Sequence, residues 1–166
     1  VLKVLLFPGS FDPFTLGHQN IAKRASRICD KLIVAVLEND SKNPLFSLSE
    51  RKELIKKSLA KYKNIEVISY QGLLVDLYKD TGATATVRGL RSESDFRYET
   101  ERALANRLLY PDYDVIFLSC REDLSLTSST IVKEVGHYGG DISKMVPKEI
   151  YEEVSEALRK GRKKHG

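Results

Sequence analysis

The residues best equipped for chemistry are one histidine in a turn-rich stretch, a few isolated cations and a run of hydroxyls. The chain opens on the apolar VLKVLLF and passes at Pro8 and Gly9 into PGSFDPFTLGHQN, in which Ser10, Asp12, Thr15 and His18 stand among prolines and glycines. Lys42 sits in NDSKNP, Arg88 and Arg91 sit in RGLR directly after TATV, and Ser125 to Thr130 follow another apolar run. Imidazole, ammonium, guanidinium and hydroxyl groups suit the holding and neutralising of phosphate oxygens. Taken singly, each has a plainer reading. His18 reads as a capping or packing residue, the glycines and prolines as turn punctuation, Lys42 as a solvated loop residue, Asp12 as a carboxylate fixing its turn through local N–H groups, Glu99 as a surface ion-pair partner of Arg102, Leu73 and Leu74 as core and Ser128 as a helix cap.

These residues need elements to bring them together. Buried-looking runs occur at Leu2–Phe7, Leu32–Leu37, Ile65–Ser69, Ala83–Val87 and Val115–Leu118, and stretches with helical spacing lie between them. The alternation of strand and helix, with strands apolar on both faces, predicts an α/β fold: a Rossmann-like, doubly wound parallel sheet of five strands with helices on both faces. Ser47-Leu48-Ser49-Glu50 predicts a capping box opening a helix to about Lys61. A helix from Asp76 to Thr81 stops at Gly82, Ser92 opens one to about Leu109, and Pro147 begins the last. In such sheets ligands bind beyond the carboxyl ends of the strands. The residues after the runs, namely PGSFDPFTLGH, Lys42, RGLR and Ser125 to Thr130, should therefore converge. A helix beginning near Gly17 would aim unpaired N–H groups and a positive dipole end at a phosphate, with His18 at that end.

Composition sets the bounds. At 166 residues and 42% apolar content the chain suits a single domain over residues 1–166. Cys29 and Cys120 are far apart without metal-ligand spacing, which predicts a reduced, cytoplasmic protein. No run is long enough to span a bilayer, so no membrane partner is expected. Much of the net charge of +4 falls in RKGRKK near the end, read as a basic, frayed tail over about 159–166, and no nucleic-acid partner is expected.

Jointly, the motifs are more specific. GSFDP followed by TLGH closely resembles the signature of the T/HxGH nucleotidyltransferase superfamily, with Thr15 in place of its first histidine. RGLR continued by Asp95-Phe96 and Tyr98-Glu99, and the segment SSTIVKE from Ser128, resemble the phosphopantetheine adenylyltransferase family within it. The likeness spans nearly the whole chain in order. It implies adenylyl transfer from ATP to 4′-phosphopantetheine, giving dephospho-coenzyme A and pyrophosphate in the penultimate step of coenzyme A synthesis. Pyridine-nucleotide adenylyltransferase and glycerol-phosphate cytidylyltransferase share the first motif and are the alternatives, disfavoured by Thr15 and RGLR.

The resemblance also implies roles. His18 would stabilise the transition state, with Lys42 and Arg91 as further catalytic cations. ATP would be held by Ser10, Phe11, His18, Gly89, Leu90, Arg91, Glu99 and the segment Leu124, Ser125, Leu126, Thr127, Ser128, Ser129 and Thr130. Phosphopantetheine would meet Ser10, Lys42, Leu74 and Arg88. Leu124 and Thr127 depart from the aromatic and apolar residues common there. Mg²⁺ is expected to arrive with ATP, without a protein metal ligand. A homo-oligomer, hexameric by resemblance, and feedback by coenzyme A are expected as well.

Overall fold

A computed structural model describes residues 2–38 and 43–163. Five strands form one parallel sheet in the order β3-β2-β1-β4-β5: β1 Val4–Gly9, β2 Lys31–Leu37, β3 Ile65–Tyr70, β4 Ala85–Leu90 and β5 Val115–Ser119. The helices are α1 Leu16–Ala25, α2 Leu48–Leu59, α3 Leu74–Asp80, α4 Glu93–Leu109, α5 Ser129–His137 and α6 Tyr151–Lys163.

Alternate strand residues supply two cores. Leu5, Phe7, Leu32, Val34 and Val36 pack with Ile21, Ile55, Val132 and Val154, whereas Val4, Leu6, Ile33 and Ala35 pack with Val75, Leu77 and Ala103. With helices on both faces the buried positions of β1 and β2 must be apolar, which is why Val4–Phe7 and Leu32–Leu37 read as unbroken runs. The first two crossovers place β2 and β3 on one side of β1; the third carries the chain back to β4 on the other side. The switch point lies between β1 and β4, where a crevice is expected.

Two strands run further than their apolar letters suggest. β1 continues through Pro8 and Gly9, the latter opposite Val36 of β2. Proline is tolerated in this central strand because β1 pairs with β4 only at Leu5↔Ala85 and Leu6↔Thr86 and then parts from it. The Pro8 carbonyl accepts from the Arg88 side chain of β4 at 2.6 Å. Since the amide and carbonyl of one strand residue share an edge, the N–H that proline lacks would have faced the opened gap. β4 likewise continues through Leu90, held by β5 with Arg88↔Phe117 and Gly89↔Leu118. Arg88, Gly89 and Leu90 are strand residues, not a loop after the strand.

The helices follow their caps. Ser47 accepts from the Glu50 N–H and Glu50 accepts from the Ser47 N–H, the capping box read from the sequence. α3 starts at Leu74, earlier than Asp76, with no side-chain cap. Strict alternation ends after β5, where α5 and α6 follow without a strand between them, and α6 runs through Lys163 into the basic segment. No described helix is long and apolar enough to cross a membrane.

Candidate active site

A cavity of about 280 Å³ opens where β1 and β4 part. β1 and its loop contribute Pro8, Gly9, Ser10 and Phe11, and α1 contributes Gly17, His18 and Ile21. Arg88, Gly89 and Arg91 enter from β4 and its end, Asp95 and Glu99 from α4, and Leu124, Thr127, Ser128 and Ser129 from the segment leading into α5. Five parts of the chain, from Pro8 to Ser129, thus meet at one place.

His18 is fixed by the start of its own helix. Thr15 is the N-cap of α1 and its hydroxyl accepts from the His18 N–H at 3.3 Å. The Thr15 N–H donates in return to Nδ1 of His18 at 3.1 Å, so the imidazole fills the place that Glu or Gln takes in a common capping box. Because Nδ1 accepts, the ring proton resides on Nε2, which is left to donate. Phe11 and Phe14 flank the ring with centroids 5.0 and 5.6 Å away. Burial, then the charges of Arg88 and Arg91, lower the His18 pKa to about 3. The histidine is therefore a neutral donor.

This has a consequence for stability. An unfolded histidine takes up a proton near pH 6.5, whereas folded His18 does so only near 3. Its contribution is constant above about pH 6.5 and is lost as the pH falls toward 3, by up to about 1.4 kcal/mol per pH unit. Denaturant titrations at pH 7 and pH 5 should show a smaller acid loss in His18→Gln than in the wild type; an equal loss would place the titration elsewhere.

Arg88 is held on three sides. Its Nε and Nη2 donate to the two carboxylate oxygens of Glu99 at 2.8 and 2.7 Å, and Nη1 donates to the Pro8 carbonyl. Of its five N–H groups, one on each terminal nitrogen has no acceptor among the described residues, a pair suited to phosphate. Glu99, which the sequence leaves as a nucleotide contact or a partner of Arg102, has both oxygens on Arg88. Arg91 is turned back onto Asp95, its Nε 3.1 Å from Oδ2.

The start of α5 is tied to the start of α1. Thr127 Oγ1 donates to the Leu124 carbonyl at 2.8 Å and accepts from the Gly17 N–H at 3.1 Å. Ser129 donates to the Pro13 carbonyl at 2.7 Å, and Ser128 caps α5. Gly17 must lack a side chain, since a Cβ there would lie 2.8 Å from Thr127 Oγ1. A Cβ on Gly9 would lie 2.8 Å from the ring of Phe11, so the bare backbone at that glycine makes room for the chain's own side chain.

Some of the expected residues lie off this cavity. Leu90, Ser125, Leu126 and Thr130 do not line it, and Leu126 is 70% exposed. Leu74 lines a smaller hollow of about 30 Å³ that shares Pro8, Arg88 and Glu99 with the larger one, while Leu73 is exposed. Lys42 lies outside the described residues.

Sequence reasoning missed Arg51, which is only 3% exposed. Its guanidinium donates to the carbonyls of Ser10, Leu37 and Phe46 at 2.6, 2.9 and 3.2 Å. The signal was its helical spacing: Arg51, Leu54, Ile55 and Ser58 fall on one face of α2, all buried. Asp12 bonds distant rather than local N–H groups, those of Leu45 at 2.8 Å and Phe46 at 3.0 Å. Among the described residues no three His, Cys, Asp or Glu side chains cluster as metal ligands.

Known proteins share this arrangement to different depths. The model of the cytidylyltransferase-like family matches residues 6–135. A phosphopantetheine adenylyltransferase of Alkaliphilus oremlandii is 47% identical over 154 residues, covering 93% of this chain and 98% of that protein. The enzyme of the same name from Thermotoga neapolitana is 43% identical over 160 residues, covering 96% and 99%. The crystal structure of a bifunctional NMN adenylyltransferase/ADP ribose pyrophosphatase from Francisella tularensis superposes with a TM-score of 0.72 at 15% identity, over 99% of this chain and 53% of that one. A lipopolysaccharide core biosynthesis protein from Thermoplasma volcanium gives a TM-score of 0.56 at 19% identity, over 74% of this chain and 100% of that one. The last two are likenesses of fold.

Proposed function

The chain belongs to the cytidylyltransferase-like family and, within it, to the phosphopantetheine adenylyltransferases, and from that premise we propose that it transfers the adenylyl group of ATP to 4′-phosphopantetheine. The observation that carries this reading is the meeting, beside one crevice, of a neutral, tautomer-fixed His18 with the Arg88 guanidinium, two of whose N–H groups have no acceptor among the described residues.

A phosphate monoester has a second pKa of about 6, so the acceptor is largely dianionic at neutral pH and needs no base. Its oxygen attacks the α-phosphorus in line; the new P–O bond forms as the bond to the bridging oxygen breaks, and pyrophosphate leaves with that electron pair. The protein's work is alignment and neutralisation of charge. In this reading the His18 Nε2–H donates to the α-phosphate, Ser10 and the Phe11 N–H grip the phosphates, and Gly89, Leu90 and Arg91 border the nucleotide. The segment Leu124 to Thr130 wraps the triphosphate. Arg88 and Lys42 receive the phosphopantetheine phosphate, Leu74 its apolar arm, and Glu99 holds Arg88. Mg²⁺ comes as part of the ATP substrate: Asp95 and Glu99, the carboxylates that line the cavity, are each engaged by an arginine.

A homo-oligomer, hexameric as in the family, is part of the same reading. α4 supports it, since only Ala103 is buried on that helix while Phe96, Tyr98, Leu104, Leu108 and Leu109 are exposed. Feedback by coenzyme A and a cytoplasmic location belong to the reading too.

Incubation of the protein with ATP, Mg²⁺ and 4′-phosphopantetheine should yield dephospho-coenzyme A by mass together with pyrophosphate. Nicotinamide mononucleotide with ATP, or glycerol phosphate with CTP, should yield none. Turnover of either in place of phosphopantetheine would overturn the assignment.

A further inference from the structure

The phosphate loop after β1 rests on a buried charge that the chemistry above leaves unused. Arg51 has no carboxylate within ion-pair distance among the described residues, and its bonds run to carbonyls of three separate segments. Two belong to the ends of β2 and of the loop after it, Leu37 and Phe46; the third is Ser10. Asp12, in the loop after β1 and only 2% exposed, accepts from the N–H groups of Leu45 and Phe46 in the loop after β2. A cation and an anion thus clamp one loop onto the other, each spread over backbone dipoles that offset the cost of burying charge.

The bond to Ser10 has a directional effect. In a trans peptide the carbonyl of one residue and the N–H of the next point opposite ways. Arg51 draws the Ser10 carbonyl into the protein at 2.6 Å, which turns the Phe11 N–H away from α2. The same peptide carries Phe11 at φ 49°, a left-handed conformation that bulky L residues rarely adopt. Ser10 and Phe11 both border the cavity. Flipping that peptide would relieve the positive φ and remove the N–H from its present direction; the guanidinium opposes the flip.

We propose that Arg51, with Asp12, is a positioning residue that locks the Ser10–Phe11 peptide in the orientation needed to grip the nucleotide phosphates. This rests on the adenylyltransferase reading for its kinetic part and on geometry alone for its structural part. Lysine keeps the charge but has one nitrogen where three carbonyls must be reached, so Arg51→Lys should fail nearly as badly as Arg51→Met.

The test measures amide hydrogen exchange and steady-state kinetics on the full chain. Both variants should exchange at least tenfold faster in the peptides covering residues 8–14 and 44–50, with α6 unchanged. kcat/KM for ATP should fall at least tenfold in both, with KM for phosphopantetheine within threefold of wild type. Arg51→Lys at wild-type kcat/KM, or faster exchange confined to residues 44–50, would overturn the proposal. Should neither variant fold, Asp12→Asn decides: faster exchange in both peptides supports the clamp, and exchange unchanged at residues 8–14 refutes it. A wild type that makes no dephospho-coenzyme A, with the two peptides still coupled, sinks the functional reading and leaves the clamp standing; product without coupling sinks the clamp alone.

Discussion

His18→Ala is expected to lower kcat by on the order of a hundredfold or more while leaving KM for ATP within a few-fold of wild type. The split follows from the geometry of the ring. Its Nδ1 is consumed by the Thr15 N–H, so only Nε2 is available to substrate. A neutral donor on a fixed ring gains most when charge builds on the phosphorane oxygens, and little when ATP is merely bound. Alanine also removes half of the capping box and the ring that packs between Phe11 and Phe14, so a lower Tm is expected alongside. His18→Gln separates the two effects. Glutamine is a natural partner at that capping position, so this variant should recover most of the stability and little of the turnover. Equal losses in ATP binding and in kcat would contradict a role confined to the transition state.

Much of this site could be read before any coordinates, and what escaped did so for physical reasons. The apolar runs marked all five strands, because a sheet covered on both faces buries most of its side chains, and the hydroxyls of Ser47, Ser92 and Ser128 marked helix starts because each caps a local N–H. Those signals are local. The passage of β1 through Pro8 is not, since it depends on where β4 parts from β1, a property of pairing between chain segments some eighty residues apart. The placement of RGL inside β4 has the same origin in β5. Thr127 and Gly17 meet across 110 residues and Arg51 and Ser10 across 41, so the bond that ties Thr127 to the start of α1 and the role of Arg51 left no local signal. Glu99 is the instructive case. Its spacing to Arg102 on α4 offered a helical ion pair, yet the carboxylate turns to Arg88 on the strand before it and accepts from two of its nitrogens.

That pair carries the other large effect. Arg88→Ala is expected to raise KM for phosphopantetheine at least tenfold, with KM for ATP changed much less. The asymmetry comes from position: Arg88 lies between the larger cavity and the hollow at Leu74, and its two unengaged N–H groups are the described cationic donors common to both. The variant should also lose stability, because the Glu99 carboxylate, 12% exposed, loses both of its Arg88 donors. Breaking one side of a buried pair costs about 3–5 kcal/mol, an upper bound here since the Arg88 side chain is 27% exposed. Stability and binding can therefore fall together for different reasons, and a second substitution distinguishes them. Arg88→Ala with Glu99→Ala removes the orphaned carboxylate, so denaturant midpoints should recover toward wild type while KM for phosphopantetheine stays high. Recovery of both would make Arg88 a structural partner of Glu99 and nothing more. A rise in KM confined to ATP would put its free N–H groups in the nucleotide half of the site.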